Sequence, residues 1–458
     1  MNDTIAAIAS GMTASGIGII RISGPEAFHV LGKIFRTKKA ADVEKMKSHT
    51  IHYGWITEEG GTSPVDECLV MVMRGPRTYT TEDTVEINCH GGPYVMRRIL
   101  KLVLASGARS AEPGEFTKRA FLGGRIDLTE AEAVMDIIKA RSDDALKSSL
   151  AQLSGSVRKI VTHVRSEIMD ELAYIEAALD DPEHMDLTGY PEELDQRLDT
   201  ICGEIGKLLR TFDEGKLIRE GILTVILGKP NAGKSSLLNA LTGVDRAIVT
   251  DIEGTTRDIL EEQVELNGIT LRVIDTAGIR NARDEIEQIG IGRAREYADR
   301  ADLILAVFDA ARPLDSNDRE ILSLIRDRKA LILLNKSDLP QVLTEEDLTG
   351  SCGVPVIKIS ARELTGMDEL AGTIRDMFFK GSLQMNEEAI LTNVRHKTAL
   401  DRTVKSLTYV RQSIQSGMPE DFYSIDLMDA YAALGEILGE DVGDDLVNTI
   451  FSKFCMGK

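Results

Sequence analysis

The spacing of apolar positions changes character twice along the chain. Up to about residue 118, short apolar runs predict strands at Thr4 to Ala9, Ile17 to Ile22, His49 to Thr57, Val65 to Met73 and Thr84 to His90. Two helices are expected among them. One opens at Ser23-Gly24-Pro25-Glu26, read as a capping box with an early proline, and runs to Phe35. The other covers Tyr94 to Ala105, after the turn Gly91-Gly92-Pro93. From Thr129 the period becomes helical, with Thr129 and Glu132 read as a cap and Val157, Ile160, Val161, Val164, Ile168, Leu172 and Ile175 as one stripe. Breaks at Asp180-Asp181-Pro182 and Tyr190-Pro191 precede a further helix to about Asp213. Strand-length runs then return at Thr224 to Leu227, Leu271 to Ile274, Ala330 to Leu334 and Pro355 to Ile359. Beyond about residue 379 the spacing is helical again, with Leu427, Tyr431, Leu434 and Leu438 on one face.

These changes predict a multidomain α/β protein. Residues 1–118 form an α+β domain, 119–216 a first helical segment, 217–379 a nucleotide-binding domain with a mostly parallel sheet, and 380–458 a second helical segment. The simplest assembly joins both helical segments in one bundle, with the nucleotide domain inserted between them.

The nucleotide assignment rests on Gly228-Lys229-Pro230-Asn231-Ala232-Gly233-Lys234-Ser235, which follows a strand-length run and precedes the helical spacing of Ser236 to Leu241. Glycines at both ends let backbone N–H groups curl round a phosphate at a helix N-terminus. Lys234 is placed to reach the β and γ oxygens and Ser235 to ligate Mg²⁺. Asp275-Thr276-Ala277-Gly278 ends a second strand, where the aspartate can hold Mg²⁺ through water and the glycine N–H can meet the γ-phosphate. Asn335-Lys336-Ser337-Asp338 ends a third. The Asp338 carboxylate can accept from guanine N1–H and the 2-amino group, donors that adenine lacks, and Ser360-Ala361-Arg362 completes the base pocket. Turn glycines of an ordinary α/β sheet would not explain these Lys, Asp and Asn choices. The pattern is that of a GTPase.

Composition narrows the setting. A 43% apolar, 28% charged chain of 458 residues is globular in class, and no signal pattern or bilayer-length apolar run is present, so the cytoplasm is expected. Cys68, Cys89, Cys202, Cys352 and Cys455 lack C-x-x-C spacing, which argues for reduced thiols over a zinc site. Net charge of −20 weighs against a general nucleic-acid binder, so RNA would have to meet a local basic patch or a partner. The stretch from Glu420 to Asp445 holds nine carboxylates and no Lys or Arg, and reads as a solvated acidic face in preference to a partner-docking surface.

With these motifs in order, the chain resembles the tRNA modification GTPases of the MnmE (TrmE) family. The resemblance is carried by Asp3 to Ala9, Gly18 to Gly24, His90 to Pro93, Pro113 to Phe116, the phosphate loop, Asp251-Ile252-Glu253-Gly254-Thr255-Thr256-Arg257-Asp258 and the C-terminal Phe454-Cys455-Met456-Gly457-Lys458. It implies a homodimer that works with an FAD-dependent partner, MnmG (GidA). Together they attach a methylene from a tetrahydrofolate derivative to carbon 5 of the wobble uridine of certain tRNAs. Arg21, Glu86, Arg125 and Lys458 match the family's folate positions; on residue chemistry alone, Arg21 also reads as a solvent-facing strand residue and Glu86 as a cross-strand ion-pair member. Position 125 is often Lys in the family and position 456 often Ile. Cys455 is implied as a candidate thiolate, with buried packing as the alternative.

The resemblance also implies how GTP is cleaved. Ile279 stands where many small GTPases carry the glutamine that orients water, and Glu287 takes the matching family role. Asn231 with Thr250, Ile252 and Thr255 would hold K⁺, and Thr256 would be the second Mg²⁺ ligand. The remaining nucleotide contacts fall on Ala232, Gly233, Ser236, Asp251, Glu253 and Gly254. The competing reading, a ribosome-assembly switch of the Era or Der kind, would need a C-terminal RNA-binding domain or a second nucleotide domain, and the sequence carries neither.

Overall fold

The computed structural model describes residues 3–38, 42–58, 61, 63–181, 183–184, 187–244, 261–274, 295–379, 389–440, 442–455 and 457. The chain divides into two compact units. The first comprises residues 1–135, 152–202 and 398–458, the second residues 136–151 and 203–397.

The first unit begins with β1 (Ile5–Ile8), β2 (Ser15–Ser23), α1 (Ala27–Ile34), β3 (Phe35–Arg36), β4 (Thr50–Thr57), β5 (Pro64–Met73), β6 (Thr84–Gly91), α2 (Pro93–Ala105) and β7 (Arg109–Ser110). The strands form one sheet in the order β3-β4-β5-β6-β2-β1-β7, antiparallel except for β1 beside β7. Ile20, Ile22, Val70, Val72, Val85 and Ile87 alternate inward and bury themselves against Val30, Leu31, Met96, Ile99 and Val103 of α1 and α2. Strand alternation therefore sends Arg21 and its register partner Glu86 to the opposite face.

The expected capping box at Ser23 is not formed. The Ser23 hydroxyl is 2.6 Å from the Thr80 hydroxyl and donates to Glu82 at 2.9 Å. Instead Thr4, at the start of β1, supplies its Oγ1 to the Glu26 N–H at 2.9 Å, and α1 starts at Ala27. A donor orphaned at a helix start has been met from another strand.

The helices that follow are α3 (Glu115–Leu122), α4 (Leu128–Lys139), α5 (Asp143–Leu153), α6 (Ser156–Asp180), α7 (Tyr190–Arg210) and α8 (Phe212–Glu220). The cap of α4 is Asp127 with Glu130, two residues ahead of the expected pair. Asp127 Oδ1 accepts from Glu130 N–H (2.8 Å) and from the Thr129 hydroxyl (2.7 Å), while Glu130 Oε2 accepts from Asp127 N–H (2.9 Å). Aspartate outcompetes threonine because its charged oxygen serves two donors at once.

The second unit holds β8 (Ile222–Leu227), α9 (Lys234–Val244), β9 (Glu261–Leu266), β10 (Ile269–Ile274), β11 (Leu303–Asp309), α10 (Ser316–Ile325), β12 (Ala330–Asn335), α11 (Glu345–Cys352), β13 (Val356–Lys358) and α12 (Met367–Phe378). Its sheet runs β13-β12-β11-β8-β10-β9, parallel throughout except for the β9–β10 hairpin. The strands β8, β11 and β12 are buried on both faces, so they read as continuous apolar runs.

The chain closes with α13 (Val394–Gln415), α14 (Asp421–Leu438) and α15 (Asp444–Phe451). In the first unit α14 packs on α6, whose predicted stripe is buried save for the half-buried Ile160. Arg165 of α6 pairs with Glu440 at 2.5 Å and lies 4.1 Å above the Tyr431 ring. Arg402 of α13 reaches Glu436 at 2.8 Å and Asp429 at 3.4 Å. The acidic stretch is thus partly consumed inside the unit, where the sequence reading left it solvated. Finally, α15 brings Val447, Phe451 and Phe454 onto Leu128, Ala131 and Met135 of α4, which anchors the C-terminal tail.

Candidate GTP site and the C-terminal tail

The loop between β8 and α9 carries two backbone conformations that favour glycine, Gly228 at φ 154° and Gly233 at φ 104°, and Asn231 at φ 63°. A Cβ on Gly233 would lie 2.0 Å from the Asn335 side-chain nitrogen, so glycine is required there by space as well as by φ. Leu237 N–H donates to the Gly233 carbonyl at 2.8 Å. The N–H groups of the preceding turn are those a helix leaves for an anion, and Ser235 and Ser236 stand exposed beside them. The Lys234 ammonium donates to the carbonyls of Gly228 (2.6 Å) and Lys229 (2.8 Å). Burial holds its pKa below the ordinary lysine value, so an arriving phosphate would supply the counter-charge that these neutral carbonyls do not.

Asn335, 3% exposed, joins this loop to the base side. Its Nδ2 donates to the Ala232 carbonyl at 2.9 Å, and its Oδ1 accepts from the Ala361 N–H at 3.1 Å. Lys336 sits at φ 66° with its ammonium 2.6 Å from Asp309 Oδ2. Burial opposes the charge on Asp309, but Lys336 and the Ala311 N–H outweigh it and keep the carboxyl below its usual range. Asp338 Oδ1 accepts from the Ser360 hydroxyl at 2.7 Å, while the residue stays exposed. Ala361 is buried and Arg362 is exposed, 3.7 Å from Glu363. The phosphate loop and both base loops therefore meet at one end of the parallel sheet, beyond the strand C-termini, where such sheets bind ligands.

A second cluster forms on the outer face of the N-terminal sheet. Arg21 Nε donates to Glu86 Oε1 at 2.8 Å, the cross-strand ion pair that the residues alone allowed. Its Nη1 donates to the Gly457 carbonyl at 3.2 Å, and the guanidinium lies 5.7 Å from the Tyr79 ring. Arg125 stacks on the same ring at 4.9 Å and donates to the Tyr79 carbonyl at 3.2 Å. The tail is pinned here: Gly114 N–H donates to the Cys455 carbonyl at 3.4 Å, and a Cβ on Gly457 would lie 2.4 Å from the Ile8 carbonyl. The Cys455 side chain is exposed, so packing does not account for it.

Residues 128–455 match the family described as MnmE helical domain, and residues 4–125 match GTP-binding protein TrmE N-terminus. A protein named tRNA modification GTPase MnmE from Lachnoclostridium phytofermentans is 54% identical over 457 residues, covering 100% of this chain and 99% of its own. The chain belongs to the MnmE family of tRNA modification GTPases.

Relatives of the same name from Acetivibrio thermocellus and Geobacillus kaustophilus are 47% and 45% identical, each covering 100% of this chain and 99% of its own. The G domain of the T. maritima FeoB iron transporter matches 34% of this chain and 97% of its own at 27% identity, with a TM-score of 0.26, too low to bear on the fold. Membership in this family makes the chain a GTPase of tRNA modification, and among the described residues no helix is long and apolar enough to cross a membrane.

Of the residues singled out in the sequence, Thr250, Asp251, Ile252, Glu253, Gly254, Thr255, Thr256, Asp275, Thr276, Ala277, Gly278, Glu287 and Lys458 lie outside the described residues. The structure adds three residues that the motifs did not single out. Asp309 fixes Lys336, and its place opposite Asn335 on neighbouring parallel strands was the available signal. Lys229, inside the loop motif, pairs with Asp315 (2.6 Å) and Asp318 (2.7 Å) at the start of α10. Tyr79 joins Arg21 to Arg125, and nothing in its local sequence spacing marks it.

Proposed function

We propose that this chain is the GTP-hydrolysing component of an enzyme that adds an aminomethyl or carboxymethylaminomethyl group to carbon 5 of the tRNA wobble uridine, together with an FAD-dependent MnmG (GidA) partner. The observation that carries the reading is the full-length family relationship combined with the assembled phosphate and base loops. In this reading residues 217–379 bind GTP, residues 1–118 bind the folate and the second copy, and 119–216 with 380–458 form the helical domain. The cytoplasm is the compartment.

For GTP cleavage, Lys234 is freed from its loop carbonyls to meet the β and γ oxygens, and the loop N–H groups orient the phosphate. The exposed Ser235 hydroxyl beside them fits a Mg²⁺ ligand, with Thr256 as the second, and Mg²⁺ would neutralise charge building between β and γ oxygens. Asn231, exposed at φ 63°, would hold K⁺ with Thr250, Ile252 and Thr255. Glu287 would orient the attacking water. Hydrolysis should run faster in K⁺ than in Na⁺ at equal ionic strength; equal rates in a phosphate-release assay would sink the cation assignment.

A tetrahydrofolate derivative would bring the one-carbon unit that becomes the methylene. The half-buried Arg21–Glu86 pair, the stacked Tyr79 and Arg125 make a cluster whose charges suit its pterin and glutamate ends; Lys458 would be a further contact, and Cys455 is exposed for a thiolate role. Arg21→Ala is expected to weaken binding of 5-formyltetrahydrofolate about tenfold to a hundredfold, the range for losing a charged hydrogen bond. Calorimetry showing unchanged affinity would move the folate elsewhere. A homodimer is supported by the same sheet face, where Ile51, Tyr53 and Leu69 are 60%, 46% and 47% exposed.

The test of the whole reading is nucleoside mass spectrometry of bulk tRNA from cells lacking this protein and from the complemented cells. Loss and restoration of 5-substituted wobble uridines is the expected result. Unchanged uridines with intact GTPase activity would favour the switch reading instead.

A further inference from the structure

The charge of this chain is unevenly divided. Residues 1–118 carry 14 Lys and Arg against 13 Asp and Glu, so the other 340 residues hold a net −21. Within the N-terminal domain eight of the 14 cations fall in two windows that contain its two helices and the residues just after them. No Asp or Glu occurs between Glu26 and Asp42, where Lys33, Arg36, Lys38 and Lys39 fall, nor between Glu86 and Glu112, where Arg97, Arg98, Lys101 and Arg109 fall.

The fold places the two windows side by side. α1 and α2 are neighbours over one face of the sheet, tied by the Lys33 ammonium on the Ser106 carbonyl at 2.9 Å. Their apolar faces are consumed by the sheet; outward stand His29 on α1, Arg36 and Lys38 after it, and Tyr94, Arg97, Arg98 and Lys101 along α2. Tyr94, Arg97, Arg98 and Lys101 sit at helical spacing i, i+3, i+4 and i+7, which makes one stripe. Arg98 is held by Glu58 at 2.9 Å, whereas Arg97 and Lys101 are exposed and pair with no described carboxylate. Tyr94 is 74% exposed at the head of the stripe.

We infer that this outer α1–α2 face is where the chain meets the RNA phosphate backbone, with Arg97 and Lys101 as phosphate contacts and Tyr94 as a stacking platform for an unpaired base. It rests on the tRNA reading above and locates the RNA on an otherwise acidic molecule. Cations without partners and an exposed aromatic at one helical spacing are the combination that backbone-tracking surfaces use. The face is turned away from Arg21 and Glu86, across the sheet, so it can be altered without touching the folate cluster.

The test is binding of bulk tRNA to the full chain by fluorescence anisotropy over a salt series. Arg97→Glu with Lys101→Glu in one chain should weaken binding about tenfold or more near physiological salt and lower the salt slope by about two. Lys159→Glu with Lys207→Glu, an equal charge change elsewhere, should leave both nearly as in the wild type. Arg97→Lys with Lys101→Arg should retain binding, and 5-formyltetrahydrofolate affinity should be unchanged in every variant, which separates a lost contact from a lost fold. Equal loss in both charge-reversed chains, or no tRNA binding by the wild type, overturns the proposal. So does retention of tRNA binding with loss of binding to vesicles of anionic phospholipid. The modification reading is judged separately, by the nucleoside analysis.

Discussion

Asp338→Asn is expected to lower GTP affinity by about 10⁴-fold, the scale on which a site built to pair a polar group rejects a mismatch. The carboxylate is positioned to read the base. One oxygen takes the Ser360 hydroxyl at 2.7 Å, which fixes the plane while the residue stays exposed to an incoming base. An amide in its place turns an acceptor into a donor against guanine N1–H and the 2-amino group. A base with oxygen at carbon 2 restores the match, so the variant should bind and hydrolyse XTP in preference to GTP. Titration calorimetry with both nucleotides checks this. Unaltered GTP affinity would mean that Asp338 does not read the base, and the guanine pocket would have to be sought elsewhere.

Arg119→Met should cost the N-terminal domain about 3 to 5 kcal/mol, the range for removing one partner of a buried ion pair. Arg119 is 2% exposed, and its guanidinium meets Glu115 at 3.0 Å, Glu82 at 3.0 Å and Asp3 at 2.9 Å. Without it, the buried Glu115 and the largely buried Glu82 are left facing each other across an apolar side chain. In the wild type, burial opposes the Glu115 charge, but Arg109, the Glu112 N–H and Arg119 prevail and hold its carboxyl below the ordinary value. A depressed carboxyl stabilises the fold above its unfolded pKa of about 4.3, and that stability is lost as pH falls through the folded value. In the variant the Glu115 carboxylate loses one of its cationic partners and favours protonation, so the deficit should be largest at neutral pH and shrink toward pH 5. Trp55 in β4 is the only tryptophan in the chain, and its fluorescence in urea reports this domain alone. An equal midpoint in both proteins at pH 7 would remove the network from the account of stability.

The legible parts of this protein were those written in consecutive residues. Loop geometry at Gly228 to Ser235 depends on adjacent N–H groups, and the Asn335 and Asp338 motif hangs from one strand end, so order and spacing sufficed. Strand alternation likewise sent Arg21 outward beside Glu86. What stayed hidden was settled between distant segments. Thr4 takes the cap role expected of Ser23, 22 residues from the N–H it serves, and Arg119 finds Asp3 across 116 residues. Local pattern contains no term for such pairings. The α4 cap was misplaced for a different reason, since both Asp127-x-x-Glu130 and Thr129-x-x-Glu132 fit the motif and only carboxylate strength separates them.

The discontinuity of the first unit has a consequence for the chain as it is made. Residues 152–202 leave the ribosome long before residues 398–458, because residues 203–397 are synthesised in between. At about 5–20 residues per second that interval lasts on the order of 10–40 s. Throughout it, Val157, Val161, Val164, Ile168, Leu172 and Ile175 of α6 have no α14 to cover them. The nascent protein must therefore carry an open apolar seam on α6 through nearly half of its synthesis, and a second on α4 until Val447, Phe451 and Phe454 arrive, which makes these two helices the segments a ribosome-bound chaperone would cover.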